Sequence, residues 1–192
     1  MSLWIFGYGS LIWRPGFDYL ERRRARLPGW QRRFWQGSHD HRGVPERPGR
    51  VVTLVETGHG HCDGMAYRVE QQTVEQVFEH LDHREKNGYR RIAIELEALA
   101  TRRDPGGGNR GLETAPTGGE WFAAVVYVAP TDNFAYLGPA PLPEMAAQIV
   151  ASRGPSGANV DYLLELAAAL RDLGADDPHV FELEAAVKEQ RT

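Results

Sequence analysis

The apolar run Leu3-Trp4-Ile5-Phe6 leads straight into Gly7-Tyr8-Gly9-Ser10, and apolar residues resume at Leu11-Ile12. Two glycines at the end of a strand mark a place where backbone comes close to something. Three standard loops are excluded. The dinucleotide pattern G-x-G-x-x-G fails because Ile12 stands at its third glycine. The Walker pattern lacks its Gly-Lys pair, and the nucleophile elbow G-x-S-x-G has no match around Ser10. What remains is a tight turn whose N–H groups can point one way, a nest suited to a carboxylate or an oxyanion. The plainer alternative is a β-turn with a buried tyrosine, and the residues alone favour it.

Glu85, in Leu81-Asp82-His83-Arg84-Glu85-Lys86-Asn87-Gly88-Tyr89, sits where a helical pattern meets a glycine turn. Such ends often open on pockets. A carboxylate there can move protons, its pKa lowered by Arg84, Lys86 and Arg90 or raised by burial. A salt bridge is the bland alternative. The histidine pairs His39/His41, His59/His61 (beside Cys62) and His80/His83 suggest metal. Zinc needs three or four ligands, however, and neither H-E-x-x-H nor C-x-x-C is present. His59-Gly60-His61-Cys62 reads most simply as a loop. In Gly154-Pro155-Ser156-Gly157-Ala158-Asn159-Val160-Asp161-Tyr162, Ser156 or Asn159 can cap a helix, and Tyr162 is either a core tyrosine or a hydroxyl donor to a ligand.

The elements that must position these groups follow from periodicity. Strands are expected at 3–7, 30–37, 50–56, 64–69, 89–99 and 121–129, from their β-branched and aromatic content and alternation. Val74, Val77, Phe78 and Leu81 have helical spacing, with Thr73 as N-cap. Helices are also expected at 141–154, ending on Gly154, at 159–174, and at 177–191 with Asp177 as N-cap and Pro178 behind it. The Gly/Pro-rich stretch 102–119 reads as a mobile loop inserted in a hairpin. Strands first and helices last argue for an α+β fold with a mainly antiparallel sheet or small barrel.

The 192 residues suit one domain, 1–192, with a sizeable core. A net charge of -4 gives no global attraction to nucleic acid or anionic lipid. The basic runs at 21–26, 32–33 and 90–91 therefore read as solvated faces. The single cysteine, Cys62, rules out an intrachain disulfide and points to a cytosolic setting. No secretory signal or membrane span is expected.

Six segments, in order and covering most of the chain, resemble the ChaC-type γ-glutamylcyclotransferases: 6–13, 29–55, 64–69, 81–89, 136–141 and 154–167. The Gly-rich stretch near 102–119 and His39, where a threonine is expected, depart from that pattern. The resemblance implies a small barrel-like sheet with flanking helices and a central cavity. It implies conversion of glutathione to 5-oxoproline and cysteinylglycine, with neither metal nor organic cofactor. By motif match Glu85 is the catalytic carboxylate. Phe6, Gly7, Tyr8, Gly9, Ser10 and Leu11 form the substrate-binding segment, joined by Arg42 and Tyr162. Arg42 and Arg50 are candidates for the substrate's carboxylates, and the N–H groups of Gly9 to Leu11 for the oxyanion. Other γ-glutamyl amines as substrates, or a binding module without catalysis, are the rival readings.

Overall fold

The computed structural model describes residues 2–85, 88–100 and 119–191. Five strands close into a barrel in the order β1-β3-β2-β4-β5. They are β1 (Leu3–Gly7), β2 (Glu21–Ser38), β3 (Gly49–Val69), β4 (Arg90–Ala98) and β5 (Trp121–Val128). Every pairing is antiparallel except β1 with β5, which run parallel at Ile5/Val125. The expected α+β class and mainly antiparallel barrel are what the chain forms.

Two strands are much longer than their apolar patterns. The segments 50–56 and 64–69 are one strand, β3, and His59-Gly60-His61-Cys62 lies inside it rather than in a loop. Its partner β2 begins at Glu21, so the basic run 21–26 is strand as well. The pairing continues because β-bulges at Pro28/Trp30 and Arg33/Gln36 let the long ribbon bend around the barrel. A bent ribbon exposes its middle, where polar residues interrupt the alternation that marks a strand.

Neighbouring side chains on β1 serve opposite faces. Phe6 belongs to the large core with Phe34, Leu54, Leu96 and Val126, covered by α2 (Leu142–Ala151), α3 (Asn159–Leu173) and α4 (Pro178–Glu189). Ile5 belongs to a second cluster with Leu11, Val69 and Tyr127, where Val74, Val77 and Leu81 of α1 (Val74–Arg84) dock. The period-2 alternation of one short strand thus sets helices on both sides.

Helix α2 stops at Ala151, three residues before the expected Gly154. Gly154 instead joins a two-residue hairpin, β6 (Arg153–Gly154) with β7 (Gly157–Ala158). A Cβ there would lie 2.3 Å from the His41 carbonyl oxygen. The glycine admits a neighbouring loop rather than ending a helix. Asp177 caps α4 as expected, accepting from the Val180 N–H. Thr73 occupies the N-cap of α1 without a side-chain cap bond. Neither Ser156 nor Asn159 caps α3. Asn159 is fully buried and bonds both backbone groups of Arg50. The segment 101–118 lies outside the described residues, so the expected loop at 102–119 gets no structural account beyond the pairing of the strands that flank it.

Arg32 corrects the reading of basic runs as solvated faces. It is buried, and donates to the Tyr8 carbonyl (2.6 Å), the Asp63 carbonyl (2.5 Å) and the Asp177 carboxylate (2.5 Å). Arg32→Met strands those acceptors and is expected to cost on the order of 3–5 kcal/mol, seen as a Tm drop of about 10 °C or more. Arg90 and Asp132 pair at 3.2 Å on the open surface, and breaking that pair is expected to cost under about 1 kcal/mol. Comparable losses for the two substitutions would contradict this assignment.

Candidate active site

Strand β1 ends at Gly7, and a 3₁₀ turn, Ser10–Ile12, follows. The N–H groups of Ile12 and Arg14 bond back to the carbonyls of Gly9 (2.9 Å) and Ser10 (2.8 Å). Among the described residues none accepts a hydrogen bond from the N–H of Gly9, Ser10 or Leu11. The turn is held from behind: the Tyr8 hydroxyl donates to the Tyr127 carbonyl (2.8 Å), and Arg32 donates to the Tyr8 carbonyl. The glycines make room for the chain itself. A Cβ on Gly7 would meet Leu11 at 2.7 Å, and one on Gly9 would meet the Tyr162 hydroxyl at 2.9 Å and Val52 at 3.0 Å.

The end of α1 is stitched to this turn. Arg84 donates through Nη2 to the Ser10 hydroxyl (2.7 Å) and through Nη1 to the Arg14 carbonyl (3.1 Å). Glu85 follows as the helix C-cap, its N–H on the Leu81 carbonyl at 2.7 Å. Its carboxylate lies 3.5 Å from Arg84 Nε, with a fifth of the side chain exposed. Burial raises its pKa from 4.5 to about 7, Arg84 opposes the rise, and Asp40 adds to it. Of the two opposing influences weighed from sequence, burial wins.

A cavity of about 460 Å³ opens between these parts. Ser10, Trp13 and Arg14 line it from the turn, and His80, His83, Arg84 and Glu85 from α1. Ser38, His41 and Arg42 line it from the segment after β2, with Tyr89, Ser156 and Tyr162 completing the wall. Arg42 is fixed by a bond to the Ala158 carbonyl (3.1 Å), sits 3.5 Å from Glu165, and lies 5.7 Å over the Tyr162 ring.

Of the residues expected at the site, the fold brings Ser10, Arg42, Glu85 and Tyr162 to the cavity wall. Phe6, Gly7, Tyr8, Gly9 and Leu11 do not line it; they form the layer that shapes and backs the turn. Arg50 is used inside the fold, on Gln148 and on the carbonyls of Phe34 and Gly138. The histidine pairs have separate fates: His41, His80 and His83 reach the cavity, while His59 and His61 sit on β3. Among the described residues no group of three or more His, Cys, Asp or Glu is placed to hold a metal ion. Burial pushes the Cys62 thiol up to about 12, which leaves no thiolate for attack at neutral pH. Trp13, Arg14, Ser38 and Tyr89 are among the lining residues that no sequence pattern assigned to the site, and Ser156, expected as a helix cap, lines it too.

The ChaC-like protein model matches residues 3–190. The chain belongs to the ChaC-like family. It is 40% identical over 190 residues to glutathione-specific gamma-glutamylcyclotransferase 1 of Danio rerio, covering 97% of this chain and 89% of that protein. Similarity to gamma-glutamylcyclotransferase 2-3 of Arabidopsis thaliana is 40% over 192 residues, covering 98% and 89%. The crystal structure of a yeast gamma-glutamyl cyclotransferase specific to glutathione superposes with a TM-score of 0.86 at 30% identity, covering 98% of this chain and 96% of that one. The ChaC-like fold thus includes the closed barrel, the turn and α1 described above. No helix among the described residues is long and apolar enough to cross a membrane.

Proposed function

We propose that this ChaC-like protein cleaves glutathione into 5-oxoproline and cysteinylglycine, with Glu85 as the proton carrier. The observation that carries the reading is the partly buried Glu85, the one carboxylate among the described residues lining the cavity, joined through Arg84 to the Gly7–Leu11 turn, with burial raising its pKa to about 7. Relatives that bear the glutathione-specific name at 40% identity across nearly the whole chain support it.

The chemistry needs little else. The substrate's own α-amine attacks its γ-carbonyl carbon, so both reacting groups already share a chain and the effective molarity is high. Glu85 first takes a proton from the substrate's ammonium, which frees the lone pair that attacks. The carbonyl electron pair moves onto oxygen. As the pair returns, the bond to the cysteine nitrogen breaks and Glu85 passes its proton to that nitrogen; Glu85 then takes the second proton from the new ring nitrogen and gives it to the released amine. No protein nucleophile and no water take part. Of the turn N–H groups, that of Ser10, the turn residue on the cavity wall, is the backbone donor offered to the oxyanion. Arg42 and the cationic groups around it suit a substrate with two carboxylates. The buried single thiol fits a reducing, cytosolic setting.

Release of 5-oxoproline from glutathione by the purified protein tests the reading directly; none at any pH between 6 and 9 rejects it. The rate gives a second check. Glu85 must be ionised to accept a proton, so kcat/KM is expected to rise tenfold per pH unit below about 7 and to level off above it. A profile flat from pH 5 to 8 would remove Glu85 from the role.

A further inference from the structure

Four of the chain's tyrosine hydroxyls around the barrel have an acceptor inside the protein. Tyr8 donates to the Tyr127 carbonyl, Tyr67 to the Leu11 carbonyl, Tyr89 to the Val52 carbonyl and Tyr127 to Asp82. Tyr162 is only 6% exposed, yet among the described residues none accepts its proton. A hydroxyl donor with no partner among the described residues, on a side chain that lines the cavity, is placed for an acceptor on a ligand there.

The surroundings fix where that donor can go. The register shift between Arg33 and Gln36 takes Val52 out of the β2–β3 pairing. Its carbonyl is then taken by Tyr89, and its side chain lies with the Tyr162 hydroxyl beside Gly9. The cavity that the residue lines is where the Tyr162 proton can be donated. The ring cannot swing away: Trp13 packs on it at 5.8 Å and Phe34 edge-on at 6.0 Å, with the Arg42 guanidinium above. The hydroxyl also sits against Gly9, at the mouth of the turn whose N–H groups lack acceptors.

We propose that the Tyr162 hydroxyl is the side-chain member of the oxyanion hole, donating a hydrogen bond to the γ-carbonyl oxygen as it becomes an oxyanion. This rests on the cyclotransferase reading above. The Tyr162 proton is shared and not transferred: the new bond joins the α-nitrogen to the γ-carbon, the old one to the cysteine nitrogen breaks, and Glu85 alone carries the two protons from the first nitrogen to the second, one after the other. A neutral phenol is needed, and burial keeps it so. A donor fixed before the charge develops lowers the barrier without reorganisation.

The test uses the intact protein with glutathione. Tyr162→Phe is expected to lose about a hundredfold in kcat, with KM changed by less than about threefold and the pH limb of Glu85 unmoved. Replacing Tyr162 by 3-fluorotyrosine keeps the packing and the Val52 contact but makes a stronger donor, and kcat is expected to shift measurably, at a pH where the phenol stays protonated. A Tyr162→Phe protein with unchanged kcat, or one that loses only KM, overturns the proposal, as does a fluorotyrosine protein indistinguishable from the parent. If Tyr162→Phe does not fold, the fluorotyrosine result decides alone. A parent protein that forms no 5-oxoproline overturns the cyclotransferase reading itself, a different failure from a parent that does and a variant that keeps its kcat.

Discussion

Glu85→Gln is expected to fold, to bind substrate, and to lose between about 10² and 10⁴ in turnover, the scale of general acid–base catalysis. The amide keeps the shape and the hydrogen-bonding reach of the carboxylate but cannot take the ammonium proton. The same substitution has a stability signature that a surface salt bridge would lack. Folding raises the pKa of Glu85 from 4.5 to about 7. Below about pH 4.5 the group is neutral in both states and carries no penalty. As pH rises from there to about 7, the unfolded chain ionises first and the native state is increasingly disfavoured. Relative to the parent, Glu85→Gln should therefore gain stability across that window, to a plateau on the order of 2–3 kcal/mol above pH 7. Denaturant unfolding at pH 4 and pH 8 measures it. A variant that loses stability at pH 8 would show Glu85 to be a structural partner of Arg84, and near-normal turnover would exclude it as the base.

That carboxylate was visible in the sequence as a residue type at a helix end, but its pKa was not. Arg84 and burial pull in opposite directions, and only the packing of α1 against Leu11, Val69 and Tyr127 decides between them. The barrel was legible for a similar reason. Alternation at 3–7, 89–99 and 121–129 maps closely onto β1, β4 and β5. It failed across 57–63, because residues 58–61 in the bend of the β2–β3 ribbon are exposed in succession and carry no apolar period, and burial resumes only at Cys62. Arg32 looked like surface charge because its partners, two carbonyls and Asp177, are distant in sequence. The turn's glycines signalled close approach correctly, yet what approaches is the chain's own Leu11, Tyr162 and Val52. Ser156 reaches the cavity through a hairpin two residues wide, too short for any pattern to reveal.

N-acetylglutathione is expected to survive incubation with the protein uncleaved. Acetylation removes the nucleophile that the cyclisation needs and leaves the scissile amide intact. The blocked peptide still offers both carboxylates to the cavity, so weak competitive inhibition is the expected behaviour. A hydrolase built on the same Glu85 would behave otherwise: with the carboxylate activating water, it would release N-acetylglutamate from the blocked peptide and glutamate from glutathione. Solvent oxygen separates the two directly. In ¹⁸O-labelled water the cyclisation forms a carbon–nitrogen bond while the amide breaks, so 5-oxoproline carries no label from cleavage. Hydrolysis places one labelled oxygen in the γ-carboxylate. The raised pKa suits the first course, because an ammonium's proton is far closer in acidity to a carboxyl group near 7 than water's is. Mass spectrometry of both reactions settles the matter: labelled glutamate as the first product, or any cleavage of the acetylated peptide, would replace the cyclotransferase with a hydrolase.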